Sequence, residues 1–96
     1  MNKYEIMFIV KPDLEEANIK SVMESMKTLV EANNAKVLEV KEMGQRELAY
    51  EINKYKMGYY FLFVIESDNN DATVEFDRVA LINENIIRHL IIKVEE

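Results

Sequence analysis

The sequence predicts an α+β fold in which two helices cover one face of a four-stranded antiparallel sheet. Residues 3–10 and 59–65 are apolar on nearly both sides, as the central strands of a sheet are. Two further segments repeat apolar residues every three or four positions, which is the spacing of amphipathic helices. The predicted order is strand, helix, strand, strand, helix, strand.

The first strand is expected to end at Pro12, and the first helix to begin directly after it. Asp13 and Glu16 have the spacing of a capping box. The helix should end at Asn33-Asn34, since asparagine tolerates the left-handed conformation that often follows a helix. The helix is expected to bury Ile19, Val22, Met23, Met26, Leu29 and Val30.

The second strand is predicted as a long, bent and charged outer strand. Val37 and Val40 have opposite parity, so a bulge or a change of face is expected between them. Gly44 then allows the backbone to deviate before the strand resumes. After Gly44, one face of the strand is expected to carry Leu48, Tyr50 and Ile52. We expect Tyr50 to pack rather than to bind.

The third strand follows Gly58, and a polar turn leads to a second helix that Asn70 or Asp71 is expected to cap. The apolar residues of this helix are Val74, Phe76, Val79, Ala80 and one of Leu81 and Ile82. A last strand is predicted over residues 86–94. This order is the split βαβ arrangement of ferredoxin-like domains, with spatial strand order 4-1-3-2. Residues 1–96 are expected to form one such domain.

The composition excludes several classes of protein. The 96 residues contain no cysteine, so disulfide scaffolds and thiolate metal sites are excluded. No apolar run is long enough to span a bilayer, and no signal peptide is evident, so we expect a cytoplasmic protein. The net charge of -6 argues against a nucleic-acid binder that acts alone, because lysine and arginine supply most of that affinity.

No catalytic arrangement is evident, and we expect neither an enzyme nor a cofactor. The only histidine, His89, lies in the last predicted strand beside Arg88 and is interpreted as a sheet residue. No phosphate-binding glycine loop, zinc spacing or nucleophile with an orienting base occurs. Acylphosphatase-like enzymes share the topology, but Lys11-Pro12-Asp13 does not supply their arginine after the first strand.

Two alternatives have the same fold. One is an RNA recognition motif, whose third strand begins much like residues 57–63 of this chain. Met57 and Tyr60 depart from that motif, which has a cation and a small residue at these positions. Base stacking on Tyr59, Phe61 or Phe63 would be required. The other alternative is a regulatory domain that binds a small ligand.

The most specific pattern is the tract from Gly44 to Asn53, with Arg46 as its basic residue and Tyr50 as its aromatic one. It reads glycine, any residue, a basic residue, a polar residue, leucine, serine or alanine, tyrosine, any residue, isoleucine, and a small or polar residue. This tract resembles the signature of the bacterial small-subunit ribosomal protein six family. Residues 83–89 and Lys93 agree with the same family, in the right order.

The resemblance implies a structural protein of the bacterial small ribosomal subunit. Family members bind ribosomal RNA of the platform as a heterodimer with ribosomal protein eighteen. We expect the same two partners here, with no membrane association and no small-molecule substrate. Such a partnership is compatible with an acidic chain, because a basic partner neutralises part of the RNA charge.

Two sets of residues are predicted to make these contacts. The residues predicted to contact RNA phosphates are Lys3, Lys54, Lys56, Arg88 and Lys93. The residues predicted to face the protein partner, on the exposed outer strand, are Lys41, Glu42, Arg46 and Glu47.

Overall fold

The structure is a computed structural model that describes residues 2–52 and 54–94. Its elements, in chain order, are β1 (Asn2–Val10), α1 (Glu16–Ala32), β2 (Ala35–Ile52), β3 (Tyr55–Ser67), α2 (Asp71–Ile82) and β4 (Ile86–Val94). The strands form one antiparallel sheet with the order β2-β3-β1-β4. The predicted ferredoxin-like fold and strand order are therefore confirmed. Asn53, the last residue of the signature tract, and the two-residue tail after Val94 lie outside the described residues.

The core lies between the sheet and the two helices. Phe8 of β1 pairs with Phe61 of β3, and their rings stack with centroids 5.3 Å apart. Phe63 and Phe76 complete this aromatic cluster, and all four rings are fully buried. Because strand residues alternate between faces, the residues between these on β1 and β3 lie on the other face, which is called the open face here.

The first helix starts later than predicted. Its N-cap position is Glu15, and no side chain caps it. The capping box of Asp13 and Glu16 is therefore wrong, because Asp13 lies in the turn before the helix and accepts a hydrogen bond from the Tyr55 hydroxyl at 3.3 Å. The predicted end is confirmed: Asn34 has φ +67°, in the left-handed region.

The second helix also differs from its prediction. Asn70 occupies the N-cap position, as predicted, but no side-chain hydrogen bond caps the helix there; Asn69 Oδ1 accepts a hydrogen bond from the Asp71 amide at 3.1 Å. Phe76 and Ala80 are buried as expected. Of the other apolar residues predicted for this helix, Val74, Leu81 and Ile82 are exposed. The helix contacts the sheet through a narrower stripe than its composition indicates.

Strand β2 is long and irregular, as its sequence predicts. Its register against β3 shifts between Val37 and Glu39 and again between Glu42 and Gly44. The first shift is the bulge expected from the opposite parity of Val37 and Val40. Gly44 has φ +84°, which explains the glycine there. Of the helices within the described ranges, neither has the length and apolar character needed to cross a membrane.

Candidate functional site

The hairpin formed by the end of β2 and the start of β3 folds over the open face of the sheet. Ile9 lies on that face, yet it is only 6% exposed because the hairpin covers it. A Cβ atom at Gly58 would lie 2.2 Å from Ile9 Cγ2 and 3.4 Å from Leu48 Cδ2. The glycine therefore permits close approach of the hairpin to β1, and the signature tract contacts the body of the sheet through its apolar residues.

Tyr50, the aromatic residue of the signature, contacts Arg88 of β4. The Arg88 guanidinium lies 5.6 Å from the centroid of the Tyr50 ring and donates a hydrogen bond to the Tyr50 hydroxyl. Tyr50 is nevertheless 60% exposed. The expectation that it packs is thus met only on one side of the ring, and the tyrosine orients a cation that remains accessible.

A cavity of about 290 Å³ lies between the hairpin and the open face. The hairpin supplies one wall, and β1, β3 and β4 supply the floor. The residues that line it are Met7, Ile9, Leu48, Ala49, Tyr50, Ile52, Tyr60, Arg88, His89 and Leu90. Most are apolar, and Arg88 supplies a positive charge.

The hairpin is also held on the helix side of the sheet. The Tyr59 hydroxyl donates a hydrogen bond to the Glu42 carboxylate on the neighbouring strand. This bond to an anion, with some desolvation and the nearby charge of Glu42, raises the pKa of Tyr59 to about 12. The bond joins β3 to β2, whereas the Tyr55–Asp13 bond joins the hairpin to the turn before the first helix.

The structure divides the five predicted RNA contacts into two groups. Lys54 and Lys56 lie at the end of the hairpin, and Arg88 lies beneath it. Lys3 and Lys93 lie at the other end of the sheet, where Lys3 pairs with Val94 and Tyr4 with Lys93. Because Arg88 is opposite Ile9, it lies roughly 17 to 20 Å along the strands from Lys93 and Lys3, at the rise per residue of a β-strand.

The four predicted partner contacts lie along β2, which is an edge strand in this structure. Lys41 is exposed and forms an ion pair with Glu39 at 3.8 Å. Glu42 is bound to Tyr59, and Arg46 Nε donates to the Met43 carbonyl oxygen at 3.3 Å across Gly44. Glu47 is exposed opposite Met57. The four side chains therefore follow one edge but do not form a single cluster.

The only histidine of the sequence, His89, bonds to the second helix. His89 Nε2 lies 2.7 Å from Asp77 Oδ1, and this pair links β4 to α2. The predicted interpretation of His89 as a sheet residue agrees with its position in β4 and its 14% side-chain exposure. Within residues 2–52 and 54–94, no group of three or more histidines and carboxylates could hold a metal ion.

The structure also disfavours the RNA recognition motif. Phe61 and Phe63, on which bases would have to stack, are completely buried under the helices, and Tyr59 shares their face. Tyr60, which departs from the RNA recognition motif, lies on the open face instead. Its position two residues from Gly58 in an alternating strand was the signal that places it on the open face.

The fold and the signature tract both agree with known ribosomal proteins. The chain is similar to the crystal structure of 30S ribosomal protein S6 from Thermotoga maritima, with a TM-score of 0.93 and 29% sequence identity over 97% of this chain and 87% of that chain. The family described as Ribosomal protein S6 matches residues 3–93. These findings confirm the resemblance drawn from residues 44–53, as well as the expected location in the cytoplasmic ribosome. The chain belongs to the ribosomal protein S6 family and is a protein of the small ribosomal subunit.

Proposed function

We propose that this chain, acting as one domain over residues 1–96, binds small-subunit ribosomal RNA of the platform together with ribosomal protein eighteen. The observation that carries the proposal is the arrangement of Lys54, Lys56 and Arg88 around a hairpin that contains the family signature. In a chain of net charge -6, these three cations outnumber the two carboxylates of the hairpin, Glu47 and Glu51. Its role is structural, and no chemical step is part of it.

The RNA contacts are charge contacts to phosphates. Lys54 has φ +71°, which turns the chain at the end of the hairpin, and both it and Lys56 are exposed. Lys3 and Lys93 form the second group, roughly 17 to 20 Å from Arg88 along the strands. Such contacts fix the position of a protein on RNA without reading the sequence. Two separated groups can bind two segments of the RNA backbone.

The partner contacts lie on the β2 edge, through Lys41, Glu42, Arg46 and Glu47. An edge strand offers unpaired backbone donors and acceptors to an added segment. The charges of both signs on this edge favour a partner that also carries both. With net charge -6, the chain also attracts a basic protein, which then contributes to neutralising the RNA.

A reconstitution experiment tests the proposal. Small subunits depleted of this protein and of protein eighteen are incubated with the chain and its partner, and the bound chain is measured after sedimentation. We expect the unaltered chain to sediment with the subunits, and the double variant Lys54→Gln/Lys56→Gln to be displaced at lower salt. Lys20→Gln/Lys27→Gln, on the first helix, is the matched control and should behave as the unaltered chain does.

If the unaltered chain fails to sediment with depleted subunits, the proposal is wrong. If both double variants lose binding equally, total charge rather than the hairpin determines binding, and the assignment of Lys54 and Lys56 fails.

A further inference from the structure

The edge of the sheet formed by β4 carries less charge than the β2 edge. Residues 86–94 include the basic residues Arg88, His89 and Lys93 but no carboxylate, glycine or proline. Among the described residues, β4 pairs with β1 alone, at the end of the strand order β2-β3-β1-β4. A long edge strand of this kind can pair with another strand.

The second helix has one side that points outward, over the β4 edge. The Phe76 ring packs against Phe8 of β1, with the ring centroids 5.5 Å apart. The next residue, Asp77, instead contacts His89 of β4. The side of α2 that carries Asp77 is therefore turned away from β1 and toward the edge of the sheet.

Two exposed apolar residues lie on this outer side of α2. Val74 comes three residues before Asp77 and Leu81 four residues after it, so both share its side of the helix. Their exposed fractions are 58% and 71%. Ile82 is 70% exposed, but it is rotated by about 100° from Leu81 and leaves this side.

The sequence of β4 allows two copies of the strand to pair with each other. In an antiparallel pair centred on Leu90, Arg88 lies opposite Ile92 of the second copy, and Lys93 lies opposite Ile87. No basic residue of β4 then lies opposite another. The two Leu90 side chains meet on the two-fold axis and bury apolar surface on the open face.

The same two-fold axis brings two α2 helices together. An antiparallel helix pair centred between Asp77 and Arg78 places Val74 against Leu81 of the second copy. It also places the carboxylate of Asp77 near the guanidinium of Arg78. Because Asp77 contacts His89, the middle of α2 lies beside the middle of β4, so one axis serves both elements.

We propose that the chain associates with a second copy of itself through the β4 edge and the outer side of α2. The contact joins the two sheets into one continuous sheet and covers Val74 and Leu81. Each copy has a net charge of -6, so repulsion weakens the dimer, and added salt strengthens it by screening that charge. This association does not depend on the proposed function, and its tests contain neither RNA nor protein eighteen.

Sedimentation equilibrium of the purified chain measures the association. We expect the mass to rise toward that of a dimer as the concentration is raised about a hundredfold, and to rise further at higher salt. Leu81→Gln should weaken the dimer about tenfold, and the matched control Ile82→Gln less than about twofold. Unfolding of both variants, at concentrations where the chain is monomeric, checks that each is folded.

Disulfide formation tests the register of the two β4 strands. The sequence contains no cysteine, so a single introduced cysteine can link only two copies. Leu90→Cys places two Cβ atoms about 5 Å apart on the axis, whereas Ile92→Cys separates them by roughly 13 Å along the strands. Air oxidation should link the first variant and leave the second unlinked, because a disulfide needs close Cα atoms.

The proposal is overturned if the unaltered chain stays monomeric over the whole concentration range at high salt. It is also wrong if Leu81→Gln and Ile82→Gln weaken the dimer equally. Failure of Leu90→Cys to link, or equal linking of Ile92→Cys, would contradict the pairing of the β4 strands. None of these results affects the proposed binding of RNA and protein eighteen, which is measured separately.

Discussion

Gly44 and Gly58, the two glycines of the chain, meet different steric requirements. Gly44 has φ +84° and open space around its missing Cβ, so only its backbone conformation requires glycine. Gly58 lies against Ile9, so its requirement is space. The first allows β2 to bend, and the second allows the hairpin to approach β1.

Alanine at either glycine should lower the free energy of unfolding, but for a different reason at each position. Gly58→Ala should lower the free energy of unfolding by about 1 to 3 kcal/mol, because its Cβ would overlap Ile9 Cγ2. Gly44→Ala should cost about 1 kcal/mol through backbone strain alone. Urea unfolding measures both. In an Ile9→Ala background the cost of Gly58→Ala should fall and that of Gly44→Ala should not; equal costs in both backgrounds would contradict the steric explanation.

Substitution of Tyr50 should affect RNA binding without affecting partner binding. Tyr50→Phe keeps the ring in the cavity wall and removes the hydroxyl that accepts from Arg88. We expect affinity for protein eighteen to stay within about twofold, and affinity of the pair for RNA to fall about two- to fivefold. Fluorescence anisotropy with labelled RNA measures the second effect. An unchanged RNA affinity would show that the hydroxyl does not orient a phosphate contact.

Tyr59 predicts an effect at alkaline pH. Its pKa of about 12 lies above the ordinary value of 10.0, so the folded state favours the neutral phenol. The stability from its bond to Glu42 is therefore present below pH 10 and is lost as the pH rises toward 12. In an absorbance titration, Tyr59→Phe should remove an ionisation near pH 12. Glu42→Gln should shift that ionisation to lower pH, and an unshifted curve would count against this bond.

At the scale of elements, the hairpin connects the identifying sequence to the candidate site. Leu48 packs near Ile9 of the sheet on one face, the Tyr55 hydroxyl joins the hairpin to Asp13, and the Tyr59–Glu42 bond joins its two strands. The cations at its end are thereby fixed relative to the cavity beneath it. A hairpin held in this way would position the proposed RNA contacts relative to the proposed partner edge.

Substitutions on the two sides of the second helix should change the free energy of unfolding by different amounts. Phe76 is buried in the aromatic cluster, and Leu81 is exposed on the same helix. Phe76→Leu should lower the free energy of unfolding by about 1 to 3 kcal/mol, and Leu81→Gln should change it by less than about 0.5 kcal/mol. Thermal or urea unfolding of the two variants measures both changes. A large loss for Leu81→Gln would mean that the outer side of α2 packs against something.

The elements themselves could be predicted from the sequence because their signals are local. The alternation of β1, the parity of Val37 and Val40, and Asn34 each depend on a few neighbouring residues. The first helix start was missed because Asp13 and Glu16 have capping-box spacing, although the chain is still turning at Asp13.

The site could be predicted only in part, because its geometry depends on long-range contacts. The cations were named from the sequence, but their division into two groups follows from the pairing of β1 with β4. The contact between Tyr50 and Arg88 joins residues 38 positions apart. The cavity requires the hairpin to fold back over the sheet, and no local pattern specifies the direction of that fold.

At the scale of the whole molecule, charge limits what the chain does alone. The lysines and arginines number 12 against 18 aspartates and glutamates. The chain as a whole therefore repels RNA, and the proposed attraction is local, at the cations on the hairpin and at the end of the sheet that carries Lys3 and Lys93. A basic partner bound beside the hairpin would enlarge the positive surface that faces the RNA.

The most direct test of this account is the affinity for platform RNA, measured with and without ribosomal protein eighteen across a salt series. We expect the pair to bind at least about tenfold more tightly than the chain alone at 0.1 M salt, because more phosphates are neutralised. The logarithm of its affinity should also fall more steeply with the logarithm of salt concentration. If the chain alone binds as tightly as the pair, with the same salt dependence, the proposed shared binding is wrong.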